Sequence, residues 1–175
     1  MKPKTPQTVR LFLAESQHSI SEQYLPPLLV CLATLSDTEI WWRPNASSNS
    51  VGNLVLHLSG NIRQWIISGL GGTPDTRDRD SEFSERGPIP RGKLAGQLRE
   101  TVLEACGVLK GLSGDSLTRS YVIQGFHVTG HYAVFQVVEH FAYHAGQIIY
   151  VTKLKHGKDL GFTRLPAKSR KRDAV

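Results

Sequence analysis

The stretch from about Thr129 to Lys155 constrains this chain more than any other. Ala133, Val134, Phe135, Val137, Val138, Phe141, Ile148, Ile149, Val151 and Leu154 surround a helix with apolar side chains on nearly every side. Such a helix belongs in the centre of a bundle. Gly157 supplies its stop, and Lys153, Lys155 and His156 suit the negative end of its dipole. One polar stripe interrupts it. Gln136, His140, His144 and Gln147 recur at helical spacing, and burying four polar side chains is unfavourable unless each finds a partner.

The other segments read as companions for this central helix. A first helical segment is expected from about Thr8 to Leu35, with a kink or restart at Pro26-Pro27, where two amide donors are missing. Ile40 to Asn45 is an aromatic connector that Pro44 keeps from becoming helix. A second helix starts at Asn49 or Ser50, both good N-caps, and ends at Gly69. Its buried face is Val51, Leu54, Val55, Leu58, Ile62, Trp65 and Ile66, and His57 and Asn61 flank that stripe one turn apart. From Gly71 to Pro90 there is no periodicity, and a loop of that length is expected either to fold over the mouth of the bundle or to move freely. A third helix is expected over about Lys93 to Leu112, and Tyr121 to Val128 are partly extended in character. With no repeats or low-complexity tracts, residues 1–175 form one all-α domain, with flexible charged ends at 1–7 and 166–175.

Histidines four apart on a helix share a face, so His140 and His144 can point at one ion, and His57 completes a three-nitrogen set if its helix packs alongside. Three neutral imidazoles leave a coordination position open, as in catalytic sites. Single buried histidines are more often satisfied by a carbonyl, and His18, His127, His131 and His156 are read that way. His131 lies on roughly the opposite side of its helix from His140. In H-E-x-x-H proteases a glutamate follows the first histidine. Here that position is Phe141, and Glu139 precedes His140, which argues against such a protease.

The net charge of +6 suggests nucleic acid until it is located. Lys2 and Lys4 carry two of these charges, and the tail with Lys168, Arg170, Lys171, Arg172 and Asp173 carries a net three. Residues 5–167 are then left at +1, unlike a duplex-binding face. No apolar run is long enough for a bilayer and no apolar segment follows the N-terminal charges, so a cytoplasmic protein without nucleic-acid or membrane partners is expected. Cys31 and Cys106 read as reduced, buried small hydrophobes.

The stretches W-W-R-P-N-A-S-S-N-S-V-G-N-L-V-L-H-L-S-G-N-I-R-Q-W, G-G-T-P-D-T-R-D-R-D-S-E-F, I-Q-G-F and V-V-E-H-F-A-Y-H-A-G-Q-I together resemble the DinB-like superfamily, and within it a branch of uncharacterised members. The resemblance covers most of residues 10 to 162. It implies an antiparallel four-helix bundle with a long crossover loop and a divalent metal ion, zinc or nickel, on His57, His140 and His144. It also implies homodimers, which are frequent in the superfamily. Characterised relatives join low-molecular-weight thiols such as bacillithiol or mycothiol to electrophiles.

Three functions follow as expectations. The first is a metal-dependent transferase acting on a small-molecule thiol and an electrophile, with Asn61, Trp65 and Gln147 in the second shell or pocket wall. The second is a metal-dependent hydrolase, for which the ligands lack an obvious neighbouring base. The third is a non-catalytic metal-binding or stress-response protein.

Overall fold

A computed structural model describes residues 6–162. Helix α1 (Gln7–His18) passes through a widened turn at Ser19–Tyr24 into α2 (Leu25–Thr34). Prolines 26 and 27 have no amide for the carbonyls of Glu22 and Gln23, and their rings crowd that turn. The helix answers by bonding the Leu25 amide to the Ile20 carbonyl, five residues back. The expected restart therefore takes the form of a π-turn just ahead of the prolines. Helix begins at Gln7, so the expected flexible end 1–7 stops short of that residue. The remaining expectations for residues 1–5 and the basic tail from 166 lie outside the described residues.

Helix α3 (Val51–Ile62) starts at a reciprocal cap between Ser50 and Asn53. A second π segment, Arg63–Ser68, continues it. That wider turn buries Gln64, Trp65, Ile66 and Ile67 consecutively, which α-helical periodicity alone would not. Helices α4 (Arg79–Ser84), α5 (Arg91–Gly111) and α6 (Gly114–Thr118) follow. An antiparallel hairpin, β1 (Ser120–Ile123) and β2 (Phe126–Thr129), leads into α7 (Gly130–His156). Gln124 and Gly125 turn this hairpin with φ of 55° and 81°, the signature of a two-residue type I′ turn. Gly157, at φ 62°, closes α7 as expected.

Four long helical segments make the bundle: α1–α2, α3 with its π extension, α5 and α7. Their directions follow from end-to-end contacts. Arg91 at the start of α5 bonds Asp37 and the Leu35 carbonyl, beside the end of α2. Gly71, beyond the second segment, lies against Val108 near the end of α5. The second and third segments therefore run parallel, each antiparallel to the first. His131 stacks on Phe12 at one end of α7 and His156 approaches Glu39 at the other, so α7 runs with the first segment and against α3. A parallel second and third segment requires a connection spanning the bundle, which residues 71–90 provide.

The core holds Leu28, Leu32, Ile62, Ile66, Leu98 and Phe141, all essentially without exposure. Trp41 from the aromatic connector presses its ring against Gly52 and Gly87, where a Cβ would come within 2.8 Å of it. It also donates from Nε1 to the Ile89 carbonyl at 3.3 Å. Cys31 and Cys106 are free thiols, the first buried as expected and the second only half-buried. No helix among the described residues is long and apolar enough to cross a membrane.

Candidate metal centre

The antiparallel packing of α3 on α7 brings His57 to the His140/His144 face. One ligand nitrogen from each of the three lies within 4.8 Å of the other two. The ring centroids of His57 are 4.9 Å from His140 and 5.1 Å from His144, and the latter two rings are 4.4 Å apart. His57 Nε2 and His140 Nε2 face each other at 2.9 Å.

The tautomers follow from the partners on the outer side of each ring. Glu82 Oε2 lies 2.8 Å from His57 Nδ1. A carboxylate only accepts, so Nδ1 carries the proton and Nε2 turns a bare lone pair inward. His144 Nδ1 likewise donates to Gln147 Oε1 at 2.7 Å, freeing its other nitrogen. Without an ion, His140 Nε2–H can satisfy the His57 lone pair. With one, both nitrogens can coordinate. Two inward lone pairs with fixed tautomers, beside a third imidazole, suit a divalent first-row ion.

Burial and nearby positive charge keep the His140 and His144 rings neutral. Burial, with His144, His57, Arg77 and Arg79 nearby, drives His140 from its ordinary 6.5 to about 3. Burial also lowers His144, against the opposing effect of its bond to Gln147. Neutral imidazole is the form that binds metal.

The outer layer comes from the crossover, which folds over the site. Helix α4 carries Glu82, whose second oxygen receives Arg77 Nε at 2.7 Å, while Arg77 Nη2 reaches Oε2 at 2.8 Å. The Arg77 side chain is 3% and the Glu82 side chain 8% exposed. Burial alone would raise the Glu82 carboxyl, but the hydrogen bonds and charges of Arg77 and His57 outweigh it and hold it below the usual carboxylate range. Arg77 Nη2 also approaches His57 Nδ1 at 3.1 Å, a contact between two donors. Gln64, from the π segment, accepts from Arg77 Nη1 at 2.9 Å and donates to Asp75 at 2.8 Å. The crossover backbone is held too. Fully buried Asn53 donates to the carbonyls of Glu82 and Glu85 at 2.8 and 3.0 Å, and Arg43 donates to that of Phe83 at 3.2 Å. Gly60 gives Glu82 its room, since a Cβ there would overlap the carboxyl group. Phe83 covers the His57 ring at 4.6 Å between centroids.

The three expected ligand residues are thus brought together, and Gln147 touches one of them. Asn61 Oδ1 and Trp65 Nε1 are buried without a hydrogen-bond partner among the described residues. Sequence reading missed Glu82, Arg77, Gln64 and Asn53. The available signal was the density of Asp, Arg and Glu in a segment too long for a plain connection. His140 opens with Gln136, Glu139 and Tyr143 onto a cavity of about 200 Å³.

Comparison with known proteins agrees with this architecture. The family model described as "Protein of unknown function (DUF1572)" matches residues 13–168. A DinB-like protein of Bacillus cereus superposes with a TM-score of 0.66 at 16% identity, covering 88% of this chain and 95% of that one. A conserved protein of Enterococcus faecalis gives 0.65 at 17%, covering 89% and 99%, and a DinB-like protein of Bacillus subtilis gives 0.61 at 18%, covering 89% and 96%. At such identities the likeness is one of fold. No curated protein matches the sequence.

Proposed function

The chain belongs to the DUF1572 family and has the DinB-like fold, and on that premise we propose that it holds one divalent ion, zinc or nickel, on His57, His140 and His144 and uses it to join a small-molecule thiol to an electrophile. The observation that carries this reading is the convergence of three imidazoles, two with tautomers fixed from outside, beside an open cavity. A bound divalent ion supplies positive charge that favours the thiolate form of a thiol at neutral pH.

The protein's own residues prepare the place for that thiolate. Arg77 and Arg79 add positive potential at His140, which favours an anionic sulfur beside it. Glu82 and Gln147 hold His57 and His144 in the binding orientation. Phe83 from the crossover covers the His57 ring, while the cavity at Gln136 and Tyr143 leaves His140 approachable.

Protein purified without an affinity tag is expected to carry about one metal equivalent per chain, and His140→Ala is expected to lose it. The metal-loaded protein should then deplete one of glutathione, bacillithiol or mycothiol in the presence of epoxide or halo-aromatic acceptors, and chelation should stop the reaction. Full metal occupancy with no turnover across the panel would reduce the reading to a non-catalytic metal protein. Absence of metal binding would remove it altogether.

A further inference from the structure

Gln147 serves two places at once. Its Oε1 accepts from His144 Nδ1 at 2.7 Å. Its side chain also lines a cavity of about 300 Å³, bounded by α7, by Leu54 of α3 and by the loop that leads into α3. This cavity shares no residue with the one onto which His140 opens. It is large enough for a small molecule, at the lower end of the usual range for ligand pockets.

The lining is neutral. Ser47, Ser48, Asn49 and Gln147 supply its polar groups, and no Asp, Glu, Lys or Arg side chain takes part. Asn45 fixes the loop by accepting from the Ser47 amide at 3.0 Å and the Ser48 hydroxyl at 2.9 Å. Much of the remaining capacity is unspent. The Ser47 hydroxyl, the Asn49 carboxamide and Gln147 Nε2 meet no partner among the described residues. Leu54 and Val151 add apolar wall, and Tyr150 lines the same cavity while 68% exposed.

Hydroxyls and carboxamides both donate and accept, and an array of ligand hydroxyls answers them in kind. An ionic ligand would find no counter-charge in this lining. A saturated ring with C–H faces suits Leu54, Val151 and the Tyr150 ring. We propose that this cavity binds a neutral pyranose sugar, and that Gln147 links its occupancy to the metal centre. A sugar oxygen that accepts from Gln147 Nε2 polarises the carboxamide, so Oε1 becomes a better acceptor for His144 Nδ1. The strengthened outer bond makes the opposite ring nitrogen a better metal ligand. This link rests on the metal reading above. The sugar site itself stands on the cavity and can be tested without metal.

The test uses the full chain labelled with ¹⁵N and freed of metal, titrated with the neutral methyl glycosides of glucose, galactose, mannose and N-acetylglucosamine. The side-chain amide resonance of Gln147, identified by its loss in Gln147→Leu, should shift saturably with at least one of them. Glycerol, which has hydroxyls but no ring, should leave it in place. Tyr150→Ala, at an exposed position that the fold does not need, and Asn49→Leu should each weaken binding about fivefold or more, the scale of one neutral hydrogen bond. No saturable shift with any glycoside, or unchanged affinity in both variants, overturns the site. Competition against a chelator then measures zinc affinity, which saturating glycoside should raise about fivefold, with zinc tightening the glycoside by the same factor. Zinc affinity unmoved by bound glycoside overturns the link. Glycoside binding by a chain that takes up no zinc supports the site while sinking the metal reading.

Discussion

His57 Nδ1 and Glu82 Oε2 meet at 2.8 Å, so the carboxylate of the crossover sets which nitrogen of the histidine faces His140. A residue from the least periodic segment thereby controls a residue from one of the most regular helices. Arg77, bonded to both oxygens of the same carboxylate, keeps it ionised and in place.

Glu82→Gln should weaken metal binding by about 10–100-fold, the usual effect of losing an outer carboxylate on a ligating histidine, and should also lower stability because it leaves the buried Arg77 guanidinium without its counter-charge. Competition against a chromophoric chelator measures this directly. Equal affinity in the variant would show that His57 keeps its tautomer without help.

Arg77→Met should destabilise the protein by about 3–5 kcal/mol, because it strands a buried carboxylate. The double variant Arg77→Met with Glu82→Gln should recover much of that loss, since no charge is then left unpaired. Urea unfolding of the metal-free single and double variants tests the coupling. Strictly additive losses would contradict it.

Gly60→Ala should act on the metal site without touching any ligand. Its methyl group would overlap the Glu82 carboxyl, and overpacking of this kind commonly destabilises by about 1–3 kcal/mol. Metal affinity should fall along with thermal stability. A variant with wild-type affinity would mean that Glu82 finds another route to His57.

The metal-free protein should lose stability as the medium is acidified. His140 ordinarily titrates near 6.5 but near 3 in the folded chain, and His144 shifts the same way. Between those two values the unfolded chain takes up a proton that the folded chain refuses. The contribution is therefore fully present above 6.5 and drains away as pH falls toward 3. The urea midpoint of chelator-treated protein should decline across this window, and less steeply in His140→Phe. A slope unchanged by that substitution would count against the assignment.

Much of this was legible because helices announce themselves by period. Ser50, Gly69, Gly157 and the apolar rows bounded the long segments within a few residues, and the spacing of His140 and His144 alone placed them on one face. Other elements left no periodic trace. The π-turn before the prolines arises from missing amide donors, which leave an apolar stripe unaltered, and the one at Arg63–Ser68 buries four consecutive residues that an α-helical period does not group together. The hairpin at Gln124-Gly125 is two strands of four residues each, too short to show alternation. Glu82 and Arg77 were hidden because their partner is fixed only once the crossover lies along α3, and no local spacing encodes that contact.

The parallel course of the second and third bundle segments carries a further consequence. A tight turn between them would have to reverse direction, so this helix order obliges the chain to travel back along the whole barrel-stave it has just laid down. The return journey is what delivers a carboxylate to the midpoint of that stave. A rearranged protein with its ends rejoined and new termini cut at the Gly72 position would keep all three imidazoles but could swing their outer tether away. Topology here thus sets the outer partner of His57, and any redesign that shortens the return path takes Glu82 from that histidine before it touches an imidazole.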